Sequence, residues 1–305
     1  MPEHTLRACA DDAGKRLDVF ILEALKDIEP GLSRTHLQKA ILAGAVTLRG
    51  SLQQKPHHKI RQEDLIIVRL PDKESTLLQP EDIPLDVLYE DQDLAVINKQ
   101  AGLVVHPAPG NTEHTLANAL LHRFKELSSV NPQRPGIVHR IDKETSGIIV
   151  IAKNNFSHLA LAGQFAKHTI IRKYVAVVNG NMEFDEGVIE LPIGRHPRKR
   201  KNMSVGFGTH TKYAKTRYRT LSRSCASSLL ELELFTGRTH QIRVHLAFLG
   251  HPILGDVKYG GNNQFVRMAL HAKLLGFIHP RSHTYIEFSA EPPPEFLRLC
   301  ASNKS

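Results

Sequence analysis

The stretch His139-Arg140-Ile141-Asp142-Lys143-Glu144-Thr145-Ser146-Gly147 runs directly into the apolar segment Ile148-Ile149-Val150-Ile151-Ala152. A short β-branched run bounded by glycine reads as a buried strand. The charged segment before it is then a loop at a sheet edge, where a rigid strand can hold a side chain in a fixed position. Asp142 is flanked by Arg140 and Lys143, cations that favour its ionised form and poise it as nucleophile or base. A surface cluster of salt bridges has the same composition, so these residues by themselves leave both readings open.

Working outward, strands are expected at Asp93–Lys99, Ile148–Ala152, Lys173–Val178, Val188–Ile193, Thr216–Ser222, Leu229–Phe235, Met268–Leu275 and Thr284–Ser289. Helices are expected at Thr115–Leu127, Phe156–Lys167 and Thr239–Leu249. Strands outnumber helices and do not alternate regularly with them. That favours an α+β fold on a mixed, largely antiparallel sheet over a doubly wound α/β fold.

A second charged cluster lies in Thr236-Gly237-Arg238-Thr239-His240-Gln241-Ile242-Arg243-Val244-His245-Leu246. On a helix, Thr239, Ile242, Arg243 and Leu246 share one face. Arg243 then sits at the margin of an apolar side, where a guanidinium needs a carboxylate or phosphate partner. Asp142 is the natural partner. The next segment, Gly250-His251-Pro252-Ile253-Leu254-Gly255-Asp256, is a turn rich in special backbone residues.

Composition narrows the function classes. The 305 residues allow two domains, and 41% hydrophobic with 23% charged residues describes a soluble globular protein. No apolar run reaches the length of a membrane span, and the N-terminus lacks the pattern of a secretory signal. Cys9, Cys225 and Cys300 are odd in number and widely spaced, which fits a reducing, cytoplasmic setting. The 18 histidines form no His-Glu-x-x-His motif, and neither dinucleotide nor P-loop fingerprints nor a Gly-x-Ser-x-Gly elbow occur. No metal and no organic cofactor are expected.

Net charge is +9, and nine of the 40 basic residues fall between 195 and 219: Arg195, Arg198, Lys199, Arg200, Lys201, Lys212, Lys215, Arg217 and Arg219. No acidic residue interrupts them. Such a block is a footprint for a polyanion, or else a solvated basic loop.

Residues 14–70 read as a separate module. Leu17, Phe20, Ile21, Ala24, Leu25 and Ile28 recur at helical spacing, with Pro30-Gly31 as the stop. Ser33 is a candidate cap for a second helix ended by Gly44, followed by a strand at Ala45–Leu48, a turn at Arg49-Gly50 and a strand at Leu65–Leu70. Arg34, Lys39, Arg49, Lys55, Lys59 and Arg61 lie there without an intervening acid, a compact surface for a phosphate backbone. With Arg16-Leu17-Asp18, Ser33-Arg34, Gly44-Ala45-Val46-Thr47-Leu48, Lys55-Pro56 and Asp64-Leu65-Ile66 in this order, the segment resembles the S4 RNA-binding domain. Residues 71–84, polar and proline-bearing, read as a linker, and residues 85–300 as the second domain.

The second domain resembles the RluA family of pseudouridine synthases. The resemblance rests on four blocks in the family's order: Val96–Pro107, His139–Lys153, Arg172–Val178, and Thr236–His245 with Gly250–Asp256. Ile141 and Gln100 stand where the family more often has Leu and Pro. The resemblance implies an essential carboxylate at Asp142, a stacking ring and possible base at Tyr174, and Arg243 paired with Asp142. It further implies that Leu270 packs on the base and that Arg140 fills the space left by a flipped nucleotide. The implied reaction breaks the N-glycosidic bond, rotates the uracil and rejoins it through carbon, without a cofactor.

The S4-like module and Pro192-Ile193-Gly194-Arg195-His196-Pro197 point to the RluD-type branch, which modifies large-subunit ribosomal RNA. Arg34, Lys39, Arg195, Lys199, Arg200 and Lys201 are then expected to grip RNA phosphates. The partner is expected to be ribosomal RNA, naked or in an assembling large subunit, and the protein a cytoplasmic monomer. Two other classes compete: a catalytically silent RNA-binding factor, and a zinc deaminase or methyltransferase. A deaminase would need His-x-Glu and Pro-Cys-x-x-Cys, which are missing.

Overall fold

The computed structural model describes residues 3–29, 32–70, 78–108, 111–261 and 265–301. The chain divides into two compact units, Met1–Leu77 and Leu78–Ser305.

The first unit comprises β1 (Glu3–Arg7), α1 (Leu17–Ala24), α2 (Arg34–Leu42), β2 (Val46–Leu48), β3 (Ser51–Leu52) and β4 (Leu65–Arg69). Its antiparallel sheet has the order β1-β4-β2-β3. Leu17, Ile21, Leu25, Leu37 and Ile41 from the helices bury themselves against Val46, Ile66 and Val68 of the sheet. The Ser33 side chain caps α2 by accepting from the His36 amide. The unit starts before Gly14: β1 pairs along the whole of β4, yet its alternation of exposed and half-buried residues gave no apolar signal. α1 stops at Ala24 and Ile28 is exposed, while the expected stop at Pro30-Gly31 lies outside the described residues.

The second unit contains β5 (Asp86–Glu90), β6 (Leu94–Lys99), α3 (Leu116–Arg123), β7 (Ser146–Ala152), α4 (Asn155–Lys167), β8 (Ile171–Asn179), β9 (Glu186–Glu190), β10 (Ile193–Arg195), β11 (Met203–Val205), β12 (Lys215–Arg223), β13 (Ser227–Leu234), α5 (Gln241–Phe248), β14 (Leu270–Ile278), β15 (Tyr285–Ser289) and α6 (Pro294–Ala301). The main sheet runs β5-β6-β7-β14-β8-β13-β12-β9, with β15 also on β14. Every pair is antiparallel except β7 with β14, so the fold is α+β on a mixed, largely antiparallel sheet. Of the expected linker, residues 71–77 lie outside the described set; Leu78 and Ile83 pack on the core of this unit.

β7 is buried at all seven positions because both faces are covered. Ile149 and Ile151 pack with Leu116 and Leu120 of α3, while Ile148 and Val150 pack with Leu161 of α4. At the first β7–β14 contact the chains close tightly. A Cβ on Gly147 would sit 2.2 Å from Ala272 O, and its φ of +108° disfavours other residues. The glycine near the start of the strand thus lets β7 enter beside β14.

The basic block from 195 to 219 is not one loop. Residues 193–205 form the β10–β11 hairpin, whereas Lys215, Arg217 and Arg219 belong to β12. There Arg217 pairs with Glu233, Arg219 with Glu231 and Lys215 with Glu190. Strand register brings distant acids opposite local bases, so part of the apparent polyanion footprint is already neutralised.

Candidate active site

The loop before β7 is fastened from beneath. Ile141 is buried, Asp142 O accepts from the Thr145 amide, and Lys143 O accepts from both the Gly102 amide and Lys99 Nζ. Lys99, fully buried, also donates to Gln100 O and Leu103 O at 2.8 and 2.9 Å. This three-carbonyl clasp ties the Asp142 loop to the turn after β6 and leaves the Asp142 carboxylate partly exposed above it.

Asp142 faces a cavity of about 310 Å³. Tyr174, Arg243, Arg140 and Leu270 also line it, so all five residues that the sequence placed at the reacting base share one pocket. Arg34 and Lys39 are exposed in the first unit; Arg195, Lys199, Arg200 and Lys201 are exposed on the β10–β11 hairpin and do not line the cavity.

Arg243 is held in a fork. Its Nε and NH2 donate to the two oxygens of Asp256 at 2.7 and 2.8 Å, and NH1 donates to Asp142 Oδ2 at 2.8 Å. Burial works against the guanidinium charge, but the Asp256 and Asp142 carboxylates outweigh it and raise the Arg243 pKa. The expected Arg243–Asp142 pair is present. The bidentate partner Asp256 was not read from sequence, although the Gly255-Asp256 turn was visible. Gly255 takes φ +75°, and a Cβ there would come 2.1 Å from Arg267 O, so the turn can bring Asp256 under the helix only with glycine before it.

α5 begins at Gln241, not Thr239. His240 precedes it in a left-handed conformation and turns its ring toward the cavity. The Tyr259 hydroxyl oxygen accepts from the Met203 amide and shares a 2.7 Å hydrogen bond with His240 Nδ1. His240 Nε2 lies 3.9 Å from Asp142 Oδ1. Burial lowers the His240 pKa to about 4 against the pull of Asp142, so the ring is neutral near pH 7. Tyr259 also lies under the Arg243 guanidinium, 5.0 Å from ring centre to carbon. The basic hairpin is thereby wired to the site through Met203, Tyr259 and His240.

Tyr174 projects from β8 into the cavity, and burial raises its pKa. Arg140 is exposed and donates to His106 Nε2 at 3.1 Å. His139 plays a structural part: its Nε2 accepts from the Val150 amide at 3.0 Å, its ring stacks on Phe165, and burial lowers its pKa to about 3. Asp91, Asp93 and His279 come close enough together for a metal ion among the described residues. Their oxygens already accept from Arg281, Ser157, Asn154 and two backbone amides, which makes the cluster a lock between segments.

A carboxylate held by one arginine, beside an aromatic ring and a leucine in a cavity of this size, suits a planar base with its sugar. Residues 93–248 match the RNA pseudouridylate synthase family. The chain belongs to this family. It is an RNA pseudouridine synthase, an enzyme that isomerises uridine in RNA. The synthase is 42% identical to an uncharacterised RNA pseudouridine synthase of Bacillus subtilis over 98% of this chain and 97% of that one. It is 41% identical to ribosomal large subunit pseudouridine synthase D of Zymomonas mobilis, with 100% of both chains covered. A solved structure, human RNA pseudouridylate synthase domain containing 1, superposes with a TM-score of 0.59 at 26% identity, over 71% of this synthase and 87% of that chain. The architecture is the pseudouridine synthase fold.

Proposed function

We propose that this synthase modifies large-subunit ribosomal RNA and that Asp142 is its essential carboxylate. The RNA class is supported by relatives named ribosomal large subunit pseudouridine synthase D, which are 37–41% identical and nearly collinear with this chain. The role of Asp142 is carried by one observation: it lines the cavity with Tyr174 and Leu270, and Arg243 holds its Oδ2 at 2.8 Å while Oδ1 has His240 Nε2 only at 3.9 Å.

Asp142 either attacks ribose C1′, forming an ester, or removes the 2′ proton, leaving a C1′=C2′ double bond. In both routes the C1′–N1 electron pair departs on the uracil. The uracil then turns and C5 bonds to C1′, as the ester bond breaks and Asp142 leaves as a carboxylate in the first route, or as C2′ takes its proton back from Asp142 in the second. The C5 proton then leaves to a base, and N1 takes up a proton. Tyr174, a cavity-lining phenol whose pKa burial raises, stacks on the base and relays the C5 proton through its hydroxyl. Leu270 packs on the other side, and Arg140 at the rim fills the space of the flipped nucleotide.

The first unit, with its S4-like motifs, and the β10–β11 hairpin supply phosphate contacts through Arg34, Lys39, Arg195, Lys199, Arg200 and Lys201. Arg34 also donates to the buried Asp18, so it offers only part of its fork to RNA. The protein is proposed to work as a cytoplasmic monomer on naked rRNA or an assembling subunit, without metal or organic cofactor; no helix of the described residues is long and apolar enough to cross a membrane.

The test is to incubate the purified protein, with chelator, with transcribed large-subunit rRNA tritiated at uridine C5. Tritium release is expected, and chemical-adduct primer extension then maps the site. Release from transfer RNA but not from large-subunit rRNA would overturn the RNA assignment while leaving the reaction in place.

A further inference from the structure

Arg172 lies next to the reacting residues and has no role in the scheme above. It precedes Tyr174 by two positions on β8, so both side chains point to the same face, and both line the cavity. Arg172 is only 8% exposed. A guanidinium so buried ordinarily meets a carboxylate. Here, among the described residues, none reaches it. One nitrogen, NH2, donates to the Leu234 carbonyl at a long 3.3 Å, and Nε is buried with no partner. The Phe165 ring lies 6.0 Å away, and a Cβ on Gly237 would stand 2.8 Å from NH1.

The other cations of the cavity are differently placed. Arg243 is saturated by Asp256 and Asp142, Arg238 donates to Tyr213 O, and Arg140 is exposed and held by His106. Arg172 is therefore the buried cation of the pocket whose counter-charge is missing. Its field is felt by its neighbours, since it disfavours the charged forms of His139 and His168 and favours the phenolate of Tyr174.

The reaction creates a matching charge. Whether Asp142 attacks C1′ or takes the 2′ proton, the C1′–N1 bond breaks with its electron pair on the uracil, which becomes an anion delocalised over N1, O2 and O4. No oxidant or co-reactant is involved. We propose that Arg172 is a further catalytic residue, the counter-ion that holds the expelled uracil anion through its terminal N–H groups while the ring turns from N1 to C5. This rests on the pseudouridine synthase reading of the pocket but not on which route Asp142 follows. A preorganised donor aimed at charge that appears only during reaction acts on rate and not on ground-state affinity.

The test compares Arg172→Met, Arg172→Lys and Gly237→Ala with wild type and Asp142→Asn. Single-turnover rates at saturating RNA are read by nucleoside analysis, alongside RNA affinity by filter binding, folding by thermal melting, and uridine against 5-fluorouridine at the target. Arg172→Met is expected to slow uridine conversion roughly 10²- to 10³-fold, with RNA affinity unchanged. Arg172→Lys should recover part of that loss. The penalty should shrink with 5-fluorouridine, because fluorine stabilises the departing anion and lessens the need for a counter-ion. A wild-type rate in folded Arg172→Met, a defect confined to RNA affinity, or an equal penalty on both bases would overturn the proposal. If Arg172→Met does not fold, Gly237→Ala decides: its added methyl displaces the guanidinium, and an unchanged rate would overturn the proposal. An active Asp142→Asn would instead count against the role of Asp142.

Discussion

Arg243 and Asp142, 101 positions apart in the chain, meet through an NH1–Oδ2 hydrogen bond of 2.8 Å. The arginine can make this bond without swinging because its other two nitrogens are locked on Asp256. Asp142 is thus presented to the cavity by a positioned cation that commits one of its two oxygens.

Asp256 should matter to stability as well as to activity. It is buried, and its removal leaves Arg243 with a single partner in a buried site. Asp256→Ala is expected to cost less than the ~3–5 kcal/mol of fully orphaning a buried charge, because Asp142 still meets Arg243, but more than about 1 kcal/mol. Urea unfolding of the variant checks this; a change below about 1 kcal/mol would show that the fork is not needed to hold the helix.

Gly147→Ala should fail for a different reason. The positive φ alone costs on the order of 1–3 kcal/mol, and the new methyl would meet Ala272 O at 2.2 Å. A melting temperature lowered by several degrees, with β7 and the Asp142 loop displaced together, is the expected result.

The two kinds of basic residue in the 195–219 block should separate in salt titrations. Exposed Lys199, Arg200 and Lys201 replaced together by alanine should reduce the slope of log affinity against log salt by about 2–3, since each phosphate contact contributes about 0.7–0.9. Arg217→Ala should change the slope little, because Arg217 is already paired with Glu233.

Acid should destabilise the fold in two windows. His240 and His139 have folded pKa values lowered to about 4 and about 3 by burial, below the ordinary value of 6.5. The unfolded chain therefore binds more protons below pH 6.5, and stability falls as pH drops from there toward those values, by about 2 kcal/mol per histidine at pH 5. Asp18 acts lower: burial opposes its charge, but hydrogen bonds from Arg16, Gln38 and Arg34 bring it down to about 2, so its contribution persists above 3.8 and is lost as pH falls through 2. Urea midpoints from pH 7 to 4 test the first window, and His139→Phe should flatten part of it.

The parts of this structure written in local pattern could be read in advance. The apolar run Ile148–Ala152 is a strand, and the ordered blocks around Asp142, Tyr174 and Arg243 converge on one cavity. What escaped depends on register and on the third dimension. β1 and β5 alternate without a strong apolar face. Arg217 and Arg219 looked like free charge because Glu233 and Glu231 arrive only through strand pairing. Asp256 reaches Arg243 by way of a turn at Gly255, and His240 enters the pocket only because it adopts a left-handed conformation before α5. Arg172 carries no local sign of burial; its isolation follows from which face of β8 turns to the cavity.

Whether Asp142 performs the chemistry is decided by single-turnover tritium release from C5-labelled rRNA with Asp142→Asn, which keeps the side-chain shape and one acceptor for Arg243 but removes the charge. Folded Asp142→Asn is expected to bind the RNA as wild type does and to release tritium at least ~10³-fold more slowly. Release at a rate near that of the wild type would contradict the role of Asp142.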